Sequence, residues 1–414
     1  MKSEQTVDLA VIGGGPAGSM LAALVAQAGF EAVLFESARF PRFQIGESLL
    51  PVANLALQRL GIDLDAEGFQ QKAGAEFHDE RGDRCKVYPF HEGLAGTPSA
   101  THQVDRARFD TLLLDRARSS GVSVRLDEAV ARVAAAEDRV TLESTRADGS
   151  VRTTRARYLL DASGRRCVVA RTRRTLKLIK RFGRSAVYHH ASSIPSHDAD
   201  ELQASGNIRI LVRDDGWIWI IPLGGQRVSV GFVSAAHRGR DELQRCLSDS
   251  PMLRSILHGA VVHESRFASG FSHVNLEPFG RRWACIGDAS IFLDPVFSSG
   301  VSLALTQALE LAEHLCESLR RGEESDPDLA APVASRMNHA CRVFGTLVDA
   351  FYHTKLVDHL FFAERPDPEM RAGLITTLAG DVWREDNRFQ NRLLSSPRRS
   401  FQVEQSSTGI ARPF

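Results

Sequence analysis

Val7-Asp8-Leu9-Ala10-Val11-Ile12-Gly13-Gly14-Gly15-Pro16-Ala17-Gly18 decides how this chain begins to fold. Val7 to Ile12 is a short, apolar, β-branched run that stops at glycines, the pattern of a buried strand. The stretch from Met20 to Ala28 is helix-like, and a second apolar run, Ala32-Val33-Leu34-Phe35, closes on Glu36 and Ser37. Together these predict a βαβ unit that binds a dinucleotide. Gly13 permits the tight turn, Gly15 lets backbone approach a pyrophosphate, and Gly18 allows close packing of helix on strand. Pro16 and Ala17 open the helix, whose N-terminus offers amides and positive dipole to phosphates. Glu36 is placed to accept from an adenosine ribose. These glycines do not separate FAD from NAD(P).

A chain of 414 residues, 43% hydrophobic and 25% charged, is long enough for a large core and more than one domain. Basic and acidic residues number 51 each, so no basic excess points to nucleic acid. The six cysteines (Cys85, Cys167, Cys246, Cys285, Cys316, Cys341) form no CxxC pair. That suits reduced thiols in a cytoplasmic protein, and neither a disulfide frame nor a metal site. No apolar run approaches a membrane span. Asn207 to Ala235 reads as a β-meander turned at Asp214-Asp215-Gly216 and Gly224-Gly225. Val301 to Leu315 has helical periodicity. Ala340 to Trp383 is rich in Phe and Leu at helical spacing and is expected to cap the active site. Ser395 to Phe414 reads as a frayed tail.

Further segments resemble the FAD-dependent monooxygenase superfamily, and within it the flavin-dependent halogenases. Ala284-Cys285-Ile286-Gly287-Asp288-Ala289 is similar to the second FAD motif, and the resemblance implies that Asp288 accepts from the ribityl chain. Val104-Asp105-Arg106-x-x-Phe109-Asp110 resembles a motif whose arginine, here Arg106, reaches the cofactor. Leu159-Leu160-Asp161-Ala162-Ser163-Gly164 resembles the strand and turn near the adenine end. Phe40-Pro41-Arg42-x-x-Ile45-Gly46-Glu47-Ser48 resembles the loop that runs along the flavin, which implies cofactor contacts from Arg42, Gly46, Glu47 and Ser48.

The halogenase resemblance itself rests on the remaining motifs. Phe69 to Phe77, read as one strand, places Lys72, Gly74 and Glu76 on one side. It resembles the strand that carries the halogenases' essential lysine, which implies Lys72 as the halogen-delivering amine and Glu76 as acceptor of the ring proton. Trp217-Ile218-Trp219-Ile220-Ile221-Pro222 matches the form W-x-W-x-I-P. Trp217, Trp219 and Pro222 are then a wall between flavin and substrate. Phe292-Leu293-Asp294-Pro295-Val296-Phe297-Ser298-Ser299-Gly300 fits F-x-x-P-x-x-S-x-G. There Ser298, Ser299 and Gly300 would open a helix toward the flavin and hold a halide, with Pro295, Gly300 and Val301 against the cofactor.

The absence of a glutamate just before the Ser-Gly turn puts the chain nearer the phenol- and pyrrole-halogenating branch. The resemblance implies an α/β fold with a glutathione-reductase-like Rossmann FAD domain (1–75, 100–175, 270–335). It also implies an antiparallel-sheet substrate domain (76–99, 176–269) and a helical C-terminal region (336–414). It implies FADH2 from a separate flavin reductase, O2, and chloride or bromide. The substrate is an electron-rich aromatic, free or on an acyl or peptidyl carrier protein. An FAD-dependent aromatic hydroxylase, or an oxidoreductase like geranylgeranyl reductase, shares the same sequence core and stays open beside this reading.

Overall fold

The structure is a computed structural model and describes residues 6–235, 245, 249–354, 357–395 and 401. Thr6–Ile12 sits at the centre of the first sheet, parallel to Ala32–Phe35 on one side and Val151–Asp161 on the other. Ser123–Arg125 and Trp283–Cys285 extend the sheet in parallel on either side, and Phe279–Gly280 adds an antiparallel edge beyond Trp283–Cys285. Parallel sheets are covered on both faces, which explains the unbroken apolar runs in these strands. Helices Pro16–Gln27, Arg106–Ser119 and Ser299–Arg321 pack together on one face. The hairpin Glu128–Ala135 and Val140–Arg146 curls over the other. Met20, Leu21, Ala22 and Ala23 are wholly buried, so the first helix is wedged between sheet and helices.

The second sheet is the expected meander, enlarged. Ile208–Arg213, Gly216–Pro222 and Arg227–Ser234 run antiparallel, flanked by Ser185–Ser192. On the opposite edge Gly74–Asp79 joins Ile208–Arg213 in parallel and pairs with Arg84–Pro89. The two faces of Gly216–Pro222 serve two cores. Ile218 and Ile220 pack on one side, while Trp217, Trp219 and Ile221 face the C-terminal helices Ala331–His353, Pro368–Leu378 and Arg388–Leu394. No helix among the described residues is long and apolar enough to cross a membrane. Beyond Ser395 and Phe401, the expected frayed tail lies outside the described residues, as does Cys246.

One expectation is corrected: Phe69 to Phe77 is not a single strand. Gln70–Lys72 pairs antiparallel with Thr101–Gln103 in a separate two-stranded sheet. The chain then crosses at Ala73 into the large sheet. Ala73 donates to the Ser205 carbonyl (3.1 Å) and accepts from the Phe90 amide (2.8 Å), bonds outside either ladder. Gly74 makes the crossing possible, since a Cβ there would lie 2.4 Å from the Tyr88 oxygen.

Candidate active site

The first glycines let backbone pack closely on backbone and leave the start of the helix open in front of Gly15. Gly13 has φ +103°, and a Cβ on it would lie 2.3 Å from the Ala162 oxygen; one on Gly18 would lie 2.0 Å from the Gly13 oxygen. A side chain at Gly15 would meet only the Arg42 guanidinium, at 3.5 Å. Two glycines are therefore demanded by the protein's own packing, and the middle one by what lies in front of the helix. Glu36 is buried at the strand end and accepts from the Gly14 amide (2.9 Å) and the Ala38 amide (2.9 Å). Ser37 donates to it at 3.3 Å. At the other side, Gly287 (φ +57°) opens the turn that presents Asp288. The half-buried Asp288 carboxylate makes no hydrogen bond among the described residues, and burial pushes it up against the charges of His273, Arg106 and Arg165. A carboxylate left as an open acceptor beside a glycine cradle fits a ligand that brings hydroxyl donors as well as phosphates.

Two of the residues implied as cofactor contacts also have partners within the protein. Asp161 is wholly buried, and its oxygens accept from the Ser163 (3.0 Å) and Val169 (2.7 Å) amides, shaping the Ala162 turn against which Gly13 packs. Arg106 forms a bidentate pair with buried Asp110 (2.7 and 3.0 Å) and donates to the Ile45 carbonyl at 2.6 Å. It also lies 3.4 Å from the Gly46 carbonyl, on the loop that carries Glu47 and Ser48. Arg42 joins the same carboxylate at 3.2 Å. Asp110 therefore organises both arginines, although the sequence marked it only as part of a motif.

Lys72 lies under that loop. It is 1% exposed, and its Nζ donates to Ser48 Oγ (2.9 Å) and the Leu49 carbonyl (2.8 Å). The Phe90 ring centroid is 5.4 Å away. No carboxylate among the described residues pairs with it. Burial therefore pulls the amine down from 10.5 to about 7. The loop continues to Leu50, whose amide donates to Ser302 Oγ (2.8 Å) on the Ser299–Arg321 helix, so the amine and that helix share one scaffold. Glu47 is anchored by His190 at 2.5 Å, and its second oxygen is buried without a partner. Burial lowers the His190 imidazole, and the bond to Glu47 outweighs it, so the net shift is upward.

Glu76 has a different environment. Its oxygens take His78 (3.1 Å), Arg209 (3.1 Å), Asn207 (3.0 Å) and Ser205 (3.3 Å). Burial raises its carboxyl, but these partners together hold it below the usual range. The structure does not bring it to Lys72. Because the chain changes sheets at Ala73, the shared strand face expected from sequence does not exist.

Phe292 to Gly300 turns in the manner expected of it. Pro295–Phe297 is a single 3-10 turn, Ser298 adopts the left-handed conformation (φ 55°), and the helix starts at Ser299. Val301 Cγ2 would lie 3.2 Å from a Cβ on Gly46, so the helix start leans on the flavin loop. Trp217 and Trp219 are buried on one face, with ring centroids 5.9 Å apart. Trp219 lies flat over Gly231, where any Cβ would come within 2.2 Å of its ring, and Pro222 ends the strand. Tyr188 and Phe43 continue the row of rings toward the flavin loop. Trp217 donates to the Tyr352 hydroxyl at 2.8 Å, and Tyr352 donates to Asp294 at 3.1 Å. Asp294 and Tyr352 were missed at the sequence level. They lie 58 residues apart, and no local pattern joins them.

The family model described as tryptophan halogenase matches residues 8–95 and 86–393. A tryptophan 2-halogenase of Chondromyces crocatus is 34% identical over 348 residues, 78% of this chain and 63% of that protein, so the chain spans less than two thirds of this relative. The 1H-pyrrole-2-carbonyl-(peptidyl-carrier protein) brominase of Pseudoalteromonas luteoviolacea (strain 2ta16) is 28% identical over 416 residues, covering 95% of this chain and 98% of that one. Among solved structures, a flavoprotein/dehydrogenase from Cytophaga hutchinsonii superposes with a TM-score of 0.86 at 28% identity, covering 94% of this chain and 96% of that one. With a family match that runs through the glycine cradle, the buried lysine and the Ser-Ser-Gly helix start, the chain belongs to the flavin-dependent halogenases.

Proposed function

We propose that this chain halogenates an electron-rich aromatic ring of the pyrrole or phenol type, presented on a carrier protein. Reduced FAD, supplied by a separate flavin reductase, provides with O2 the oxidising power that turns chloride or bromide into hypohalous acid. Everything else falls to the chain's own residues. Gly13, Gly15, Gly18 and Glu36 hold the adenosine and pyrophosphate, and Asp288 the ribityl hydroxyls. The Ser299 and Gly300 amides, at the positive end of a long helix, take the halide. Trp217 and Trp219 keep the ring away from the flavin. Lys72 receives the halogen: its neutral amine hydrogen-bonds hypohalous acid, or reacts with it to give a haloamine and water. It then hands an electrophilic halogen to the ring.

The observation that carries this reading is Lys72 itself, a wholly buried amine with neutral partners only and a proton affinity lowered to about 7. An ordinary surface lysine stays protonated at neutral pH and offers no lone pair. The near full-length match to the pyrrole-carrier brominase supports a carrier-bound substrate. Mass spectrometry of a panel of pyrroles and phenols, free and carrier-bound, with FADH2 and each halide tests the reading. Halide-dependent product is expected. An oxygenated or reduced product formed with NADPH and no halide would return the chain to the hydroxylase or reductase class.

A further inference from the structure

Asp294 is 4% exposed and opens the turn that leads into the Ser299–Arg321 helix. Its Oδ1 accepts from the Val296 amide at 3.0 Å, and both oxygens lie 3.1 Å from the Tyr352 hydroxyl. It lines the same cavity as Ser299 and Gly300, whose remaining walls are mostly apolar, Leu303 and Met337 among them, with Cys341 and Gln307, whose amide oxygen is taken by the Gly287 amide at 2.9 Å. Among the described residues the cation that bears on it is Arg184, which lies over the Tyr352 ring at 4.2 Å from the centroid. Tyr352 and Cys341, both on the Ala331–His353 helix, are the titratable groups facing it or its cavity; burial pushes the phenol far up and the thiol up to about 12, so both stay neutral. A carboxylate and a halide ion in one small, apolar-walled space repel each other with little water to screen them. Neutralising the carboxylate removes that repulsion.

We propose that Asp294 is the proton partner of the halide, taking up one proton as chloride or bromide enters beside Ser299 and Gly300. Charge then balances within the cavity: carboxylate, proton and halide become carboxylic acid and halide, and one negative charge remains where one was before. Burial holds the Asp294 carboxyl near 7, so the exchange falls in the neutral range. The Trp217–Tyr352–Asp294 chain ties this group to the aromatic wall, and Tyr352 orients the carboxylate by donating to it. This inference rests on the halide placement proposed above.

The test titrates bromide into the FAD-loaded protein from pH 6 to 9, following the flavin absorbance and counting protons with a pH-stat. Affinity should fall about tenfold per pH unit above neutrality, with close to one proton taken up per bromide. Asp294→Asn, which mimics the protonated acid and keeps an oxygen for the Val296 amide, should bind bromide without pH dependence or proton uptake. At pH 8.5 its affinity should exceed the wild type's at least tenfold. Tyr352→Phe removes a donor to the carboxylate, so the pH dependence should move to higher pH; this variant reads the coupling even if Asp294→Asn folds poorly. Bromide binding without proton uptake in the wild type, or uptake that persists in Asp294→Asn, overturns the inference and leaves the halide placement standing. No bromide binding at any pH removes both.

Discussion

Lys72 and Glu76 are four positions apart, both are buried, and both carry a formal charge, yet their surroundings are opposite in kind. Lys72 ends a three-residue strand, and its polar and aromatic partners among the described residues are a hydroxyl, a backbone carbonyl and an aromatic ring. Glu76 lies in a large sheet and meets an arginine, a histidine, an amide and a hydroxyl. Burial destabilises the charged form of each. For Lys72 two neutral acceptors do not offset it, and the amine is pulled down to about 7; for Glu76 the partners outweigh it, and the carboxylate stays charged. Burial alone therefore does not make a reactive group. The partners decide whether a buried charge is kept as structure or given up as chemistry.

The sharpest way to break this comparison is to remove each group in turn. Lys72→Ala should bind FAD and consume O2 with reduced flavin, while halogenated product falls to the detection limit. Lys72→Arg should do the same, because guanidinium stays protonated. Glu76→Gln should retain regiospecific product but lose stability, since Arg209 and His78 lose a charged partner while Arg209 keeps Glu201 at 2.7 Å. Such a loss is about 1–3 kcal/mol, read as a shift in the denaturant midpoint. Regiospecific product from Lys72→Ala, or its loss from a well-folded Glu76→Gln, would reverse the two roles.

Cofactor uptake gives a similarly large effect in a different part of the molecule. Gly15→Val should abolish FAD binding without unfolding the chain, because its Cβ meets no backbone. Gly18→Ala should unfold or distort the βαβ unit, with a Cβ 2.0 Å from the Gly13 oxygen. Flavin absorbance after gel filtration separates loss of binding from loss of fold, which far-UV circular dichroism reports.

Protonation sharpens the contrast at intermediate scale. The folded Lys72 value of about 7 lies below the ordinary 10.5. Between these pH values the unfolded chain binds the additional proton, so stability rises with pH there. Lys72→Met should remove that rise, which amounts to a few kcal/mol across the window. At saturating halide, the wild-type halogenation rate should increase from pH 6 to 8 as the amine loses its proton. A flat profile in both measurements would show that Lys72 keeps an ordinary proton affinity.

The smallest expected effect is at Ser48, whose hydroxyl accepts from the protonated amine. Ser48→Ala removes that stabilisation of the charged form and should move the midpoint of the rate profile down by about one pH unit. A shift in the opposite direction would mean that Ser48 serves the neutral amine.

The sequence by itself determined the βαβ unit, the FAD cradle, the Trp217–Trp219 face and the turn into the Ser299 helix. Each depends on neighbours close in the chain: glycines where backbone must approach backbone, alternation along a strand, and a helix start. Tertiary structure decided the rest. The crossing at Ala73 depends on hydrogen bonds to Ser205 and Phe90, so the period-two reading of Phe69 to Phe77 put Lys72 and Glu76 on one face that the fold divides between two sheets. Arg42 on Asp110, Glu47 against His190, and Tyr352 on Asp294 are likewise contacts across long separations. Side-chain type and spacing reveal which residues can carry charge. Whether that charge survives depends on desolvation and on partners that arrive from distant parts of the chain, and only the folded molecule brings these together.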